Sequence, residues 1–186
     1  MFSLLKNRSF HLILLGVVLG VLMLSFSAYS FLATSETQFC ISCHEMRVVA
    51  EQGWMQSKHY KNKNGVVAQC ADCHLPPGLI TYVTYKIRDG LVDLYVHNFG
   101  ESDPYKMDWD RIKEVSQSHH MDSACLRCHE NLTPEGLSTK GILAHREYLR
   151  GETDKNCIKC HDDEIHPKFK EYLFGRPVAQ KEGALQ

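Results

Sequence analysis

The sequence predicts a mainly α-helical protein: one N-terminal transmembrane helix, followed by a compact domain of short helices and loops built as two similar halves. Three observations predict it. Residues 10–33 form an unbroken apolar run, all eight cysteines fall in four C-x-x-C-H quintets, and the spacing between quintets repeats.

The apolar run contains no Asp, Glu, Lys or Arg, and only one histidine, His11. It exceeds the roughly 20 residues that a helix needs to cross a bilayer. Lys6 and Arg8 precede it, and Glu36 is the first acidic residue after it. The positive-inside rule therefore leaves the N-terminus in the cytoplasm and puts the rest of the chain outside. A cleaved signal peptide is the competing reading, because Ser27-Ala28-Tyr29-Ser30 weakly resembles a cleavage site. Its apolar region should span only about 7–15 residues, so the length favours a retained single-pass anchor. Tyr29 and Phe31 suit the outer interfacial belt. The expected organisation is an anchor over 1–34, an external domain over 35–167 and a tail over 168–186 without fixed structure.

The quintets are Cys40–Cys43–His44, Cys70–Cys73–His74, Cys125–Cys128–His129 and Cys157–Cys160–His161. Two thioethers and an adjacent histidine are the attachment pattern of c-type haem, so the sequence predicts four covalently bound haem c groups with their iron. Structural zinc also uses C-x-x-C, but it does not explain a histidine after every second cysteine with no cysteine left over. Haem attachment to thiols requires export, which in a bacterium means the outer face of the inner membrane. So short a chain cannot build a large side-chain core, and porphyrin faces must supply much of it. A formal net charge of −1 argues against nucleic acid as a partner.

The first cysteines lie 30, 55 and 32 positions apart, which groups the haems into two pairs and the domain into halves of about 35–100 and 115–167. His59 follows His44 by 15 residues, and His145 follows His129 by 16. That repetition makes both candidates for distal iron ligands, against the alternative of solvated surface histidines. His166, in a short connection ending at Pro167, is a third candidate. The attached histidines His74, His129 and His161 are the corresponding proximal ligands. His97, His119 and His120 are surplus, and neighbouring histidines cannot easily serve one iron. Met46 lies two residues beyond His44, where its thioether could replace that histidine and raise the reduction potential. On spacing alone a packed methionine explains it better.

Between the pairs, Leu79–Phe99 carries apolar residues at helical spacing (Leu79, Val83, Ile87, Leu91 and Leu94) and is rich in tyrosine. Such a helix suits a membrane surface. Lys86 and Asp93 are two turns apart and share one face. A cation and a carboxylate so placed could hold a quinol hydroxyl and accept its proton. On spacing alone, a solvated charged stripe beside Arg88 and Asp89 explains them better.

Thr37-Gln38-Phe39-Cys40-Ile41-Ser42-Cys43-His44-Glu45-Met46, then His59-Tyr60, Gly65-Val66 and Cys70-Ala71-Asp72-Cys73-His74-Leu75-Pro76 make the chain resemble the NapC/NirT/NrfH family. Members are membrane-anchored tetrahaem cytochromes that oxidise quinol and feed periplasmic reductases. The resemblance runs from the anchor to about His166. It implies that Met46 binds the first iron, leaving His44 unbound, and that Asp93 and Lys86 line the quinol pocket. It further implies bis-histidine pairs of His74 with His145, His129 with His166, and His161 with His59. The implied partners are the lipid bilayer, menaquinol or ubiquinol, and a periplasmic reductase of the nitrate or nitrite type. Self-association into a homo-oligomer is left open by the sequence.

Two other function classes remain in view. A self-contained reductase of a small oxidant needs an open haem, which candidate distal histidines for three of the haems argue against. A passive electron store or wire needs neither an anchor nor a quinol pocket.

Overall fold

A computed structural model describes residues 8–167 and 169–175, and among these there are helices and loops but no strand. The first helix, α1 (Arg8–Ala33), has 26 residues, about 39 Å at 1.5 Å per residue. That exceeds the roughly 30 Å hydrocarbon core of a bilayer. No residue of α1 is fully buried in the protein, and its apolar side chains face outward along most of its length, Phe31 near its end packing against α5. It is long and apolar enough to cross a membrane. Lys6 lies outside the described residues.

The remaining helices are short and follow the quintets. Helices α2 (Thr37–Cys40) and α3 (His44–Gln52) flank the first, with a 3₁₀ turn over Trp54–Gln56. The second quintet is itself a helix, α4 (Cys70–His74). Helix α5 (Leu79–Phe99) covers the same residues that the apolar periodicity marks out. Gly78 begins it at φ 101°, a backbone conformation that side-chain-bearing residues avoid. The second half comprises α6 (Trp109–His119), α7 (Ser123–Leu126), α8 (Thr139–Leu149), α9 (Cys157–Cys160) and α10 (Phe169–Gly175). Side chains cap three of these. Asp108 accepts from Arg111 N, Ser138 from Gly141 N, and Asn156 from Lys159 N. Each such cap satisfies an orphan amide and stabilises by about 1 kcal/mol.

The buried apolar side chains among the described residues are Val48, Ala50, Trp54, Leu75, Ala124 and Leu173. That core is small for the chain length, as expected of a domain that needs another apolar component to fill it. Among the described residues, two helix packings join the halves. Helix α4 packs on α7, where Arg127 pairs with Asp72 at 3.2 Å and reaches the Leu75 carbonyl. Helix α10 packs on α3.

The second contact corrects the expectation of a structureless tail. Residues 169–175 are helical because Leu173 is buried and Phe169 stacks edge-on against Trp109, with ring centres 4.8 Å apart. Lys170 also pairs with Asp110 at 2.5 Å. Lys168 and residues 176–186 lie outside the described residues. Leu173→Ala should lower stability by about 2–4 kcal/mol in denaturant unfolding. Lys170→Ala, which removes only an exposed ion pair, should cost less than about 1 kcal/mol.

Candidate functional site

The fold brings the histidines singled out in the sequence into facing pairs. His74 and His166 have ring centres 6.4 Å apart, His59 and His129 6.1 Å, and His145 and His161 6.0 Å. Two imidazoles sharing one metal need roughly 6 Å between ring centres, from two metal–nitrogen bonds of about 2 Å and the depth of each ring. All three pairs meet that requirement, and each joins one quintet histidine to one distal candidate. The residues therefore fit a covalently attached haem with two axial imidazoles.

The partners differ from those the resemblance implies. His74 faces His166 rather than His145, His129 faces His59, and His161 faces His145. Chain spacing places a histidine near a quintet but does not say which ring it meets. Two of the three pairs still join the halves, while His145 and His161 close within the second.

Two of the three distal rings are oriented through their second nitrogen, as metal-bound histidines usually are. His59 Nδ1 lies 3.3 Å from the Glu164 carbonyl. His145 Nδ1 meets the Leu132 carbonyl. The His166 ring sits against Gly53, where an added Cβ would lie 2.9 Å from His166 Nδ1 and 2.8 Å from the Val49 carbonyl. Burial holds the His166 imidazole down at about 4, with His74 acting in the same sense and Val49 opposing. Burial likewise depresses His74. Both imidazoles therefore stay neutral, the form that binds a metal. Gly53 was not singled out in the sequence, because nothing in the pattern announces a glycine needed for ring clearance.

The first quintet is different. His44 and His97 have ring centres 5.6 Å apart, with the Glu45 carboxylate against both. Glu45 Oε1 lies 2.8 Å from His97 Nδ1 and 3.6 Å from His44 Nε2. Burial alone would raise the Glu45 carboxyl. Its own backbone amide and the two histidines more than offset that, and the net shift is downward. Met46 is exposed on the first turn of α3. Of the other surplus histidines, His119 Nδ1 meets the Val115 carbonyl at 2.8 Å, and His120 Nε2 lies 3.4 Å from Cys125 Sγ.

Beside this quintet, α5 meets the end of α1. Ser35 Oγ accepts from the Tyr82 hydroxyl at 2.8 Å and from Lys86 Nζ at 2.5 Å, and donates to the Phe31 carbonyl at 2.8 Å. Lys86 Nζ also stands 4.8 Å over the Phe31 ring. Burial lowers the Lys86 pKa. Asp93 is pushed up to about 6, by burial first and then by Asp89 and Glu45. Lys86 and Asp93 bear on the same thiol, Cys40, with opposite sign. The carboxylate is thus poised near neutrality, the property expected of a proton acceptor. The sequence singled out Lys86 and Asp93 but missed Ser35, Tyr82 and Glu45, whose roles depend on contacts 47 to 52 positions away.

The model of the N-terminal region of the NapC/NirT cytochrome c family matches residues 4–171. Cytochrome c-type protein TorC of Escherichia coli is 28% identical over 167 residues, covering 83% of this chain and 41% of TorC. The chain thus spans about two fifths of the length of that relative. Cytochrome c-type protein NapC of Escherichia coli is 30% identical over 166 residues, covering 83% of this chain and 80% of NapC. Tetraheme c-type cytochrome CymA of Shewanella oneidensis is 30% identical over 176 residues, covering 87% of this chain and 92% of CymA.

Gly53→Ala should displace the His166 ring at an overpacking cost of about 1–3 kcal/mol. In the haem-loaded protein it should perturb one low-spin electron paramagnetic resonance signal and leave the others unchanged.

Proposed function

Because the chain belongs to the NapC/NirT cytochrome c family, we propose that it is a membrane-anchored tetrahaem cytochrome c. In this reading it oxidises quinol from the bilayer and passes the electrons to a periplasmic terminal reductase of the nitrate or nitrite type. The observation that carries the reading is the junction of α1 and α5. There Lys86 is held at the end of the helix that is long enough to span the membrane, and Asp93, two turns further along α5 with its carboxyl raised to about 6, bears with Lys86 on Cys40 of the first quintet. Helix α1 anchors the chain in the inner membrane, with the haem domain on the periplasmic side as the positive-inside rule predicts.

Bound haem supplies one-electron redox chemistry, which no side chain of the protein provides. The protein's own residues handle the substrate and its protons. Quinol oxidation releases two electrons and two protons. Lys86, steadied by Ser35 and Phe31, donates a hydrogen bond to a quinol oxygen and orients the head group. Asp93 in its carboxylate form would accept the two hydroxyl protons in turn, one with each electron lost, and release each to the periplasmic side before accepting the next. The outward face of α5 exposes Ile80, Ile87, Leu91 and Leu94. It would rest in the membrane interface and keep the site within reach of a lipid-soluble substrate. The iron ligands in this reading are His74 with His166, His59 with His129, and His145 with His161, with Met46 on the first iron. Cys40, Cys43, Cys70, Cys73, Cys125, Cys128, Cys157 and Cys160 carry the thioethers.

The pH dependence follows from Asp93. Its raised pKa means that the carboxylate form is depleted as pH falls through about 6. Haem reduction by a soluble quinol analogue should therefore slow below that pH and level off above it. Asp93→Asn should slow reduction by about a hundredfold or more and abolish this pH limb, as loss of a general base does. Stopped-flow reduction of the membrane-extracted protein reads both. An Asn variant reduced at full rate would remove Asp93 from the scheme.

A further inference from the structure

The two halves share a contact that neither the cysteine nor the histidine spacing announces. In each half, the residue three positions before the leading quintet accepts the backbone N–H of the first cysteine of the trailing quintet. Cys70 N donates to Thr37 Oγ1 at 3.3 Å, and Thr37 lies three before Cys40. Cys157 N donates to Asp122 Oδ1 at 2.8 Å, and Asp122 lies three before Cys125. The two contacts span 33 and 35 positions, so neither is a local turn.

Each acceptor is itself held by a second partner. Thr37 Oγ1 donates to Gln69 Oε1 at 2.7 Å, and Asp122 Oδ2 accepts from the Tyr148 hydroxyl at 2.7 Å. The residue before each trailing cysteine also ties down the helix that follows. Gln69 N donates to Asp72 Oδ2 in α4, and Asn156 Oδ1 accepts from Lys159 N in α9. The amide clamped in each case is a first-turn helix donor with no partner inside its own helix. The first cysteines of the two quintets in each half accordingly lie close enough to influence one another, Cys40 with Cys70 and Cys125 with Cys157.

We propose that Thr37 and Asp122 are positioning residues that fix the distance between the two haem attachment points of each half, and with it the electronic contact within each haem pair. They touch neither substrate nor iron and act through Cys70 and Cys157, whose backbone amides and thiols they both contact. The same contact thus recurs in both halves, although threonine and aspartate differ in charge. The proposal rests on the reading that the quintets carry haem.

The test uses the full-length, detergent-extracted protein. Intact mass counts the attached haems, and the bisignate Soret circular dichroism couplet reports the mutual placement of paired haems. Asp122→Ala removes the acceptor, whereas Asp122→Asn removes the charge and keeps an oxygen for Cys157 N. The proposal expects the couplet to lose amplitude in Asp122→Ala and to persist in Asp122→Asn, with four haems in both. An alanine variant that retains the full couplet overturns it. If Asp122→Ala fails to accumulate, Thr37→Val, which keeps the shape and loses the hydroxyl, decides the matter: loss of couplet amplitude supports the clamp, and an unchanged couplet overturns it. A wild-type protein without attached haem would instead sink the haem reading, which separates the two failures.

Discussion

Two imidazoles can share one iron only when their ring centres stand roughly 6 Å apart and their free nitrogens face each other. Among the described residues, three pairs that join a quintet histidine to a distal candidate satisfy that separation, beside the His44–His97 pair at 5.6 Å that Glu45 joins, and the rest of the fold is arranged to supply it. His166 reaches His74 because Gly53 leaves room for its ring beside the Val49 carbonyl. His59 reaches His129 from a turn fixed by the buried Ser57 hydroxyl, which donates to the Trp54 carbonyl at 2.7 Å. Both pairs join the first half to the second. With so little apolar side chain buried, metal bridges of this kind would act as the principal ties between the halves, in the way that disulfides or structural metals serve other small domains.

The same economy governs the end nearest the membrane helix. A single hydroxyl, Ser35, joins α1 to α5 by receiving both Tyr82 and Lys86. Three carboxylates, Asp89, Asp93 and Glu45, gather close enough for Asp93 to feel the other two. Like charges in a partly desolvated setting push one of them toward protonation, and Asp93 is the one raised. Glu45 is held the other way by the two histidines that flank it. One cluster thus contains a carboxyl raised to about 6, by burial first and then by its acidic neighbours, and another held down by its own backbone amide and by His97 and His44.

Much of this was legible in the sequence, and the reasons differ by element. Helices α1 and α5 were legible because each is long and regularly apolar, so pattern outweighs local context. The quintets were legible because their chemistry demands fixed spacing. Helix α10 was not, because seven residues after a proline carry no periodic signal, and its stability comes from Leu173 and Phe169 packing on distant partners. The pairing of histidine rings in the fold differs from the one the resemblance implies for a related reason. Spacing along the chain limits which histidines are near a quintet, but the choice among His59, His145 and His166 is made by how α3, α8 and the loop before Pro167 pack. Thr37 and Asp122 escaped notice because a threonine and an aspartate at equivalent positions look unrelated until both are seen accepting a cysteine amide.

The most direct test of the account is to locate the irons in the haem-loaded protein by anomalous scattering at the iron absorption edge. The account predicts four irons, one of them beside Met46 and the other three each midway between the rings of one pair: His74 with His166, His59 with His129, and His145 with His161. An iron bound by His74 together with His145, or any of these three pairs without an iron between its rings, would contradict it.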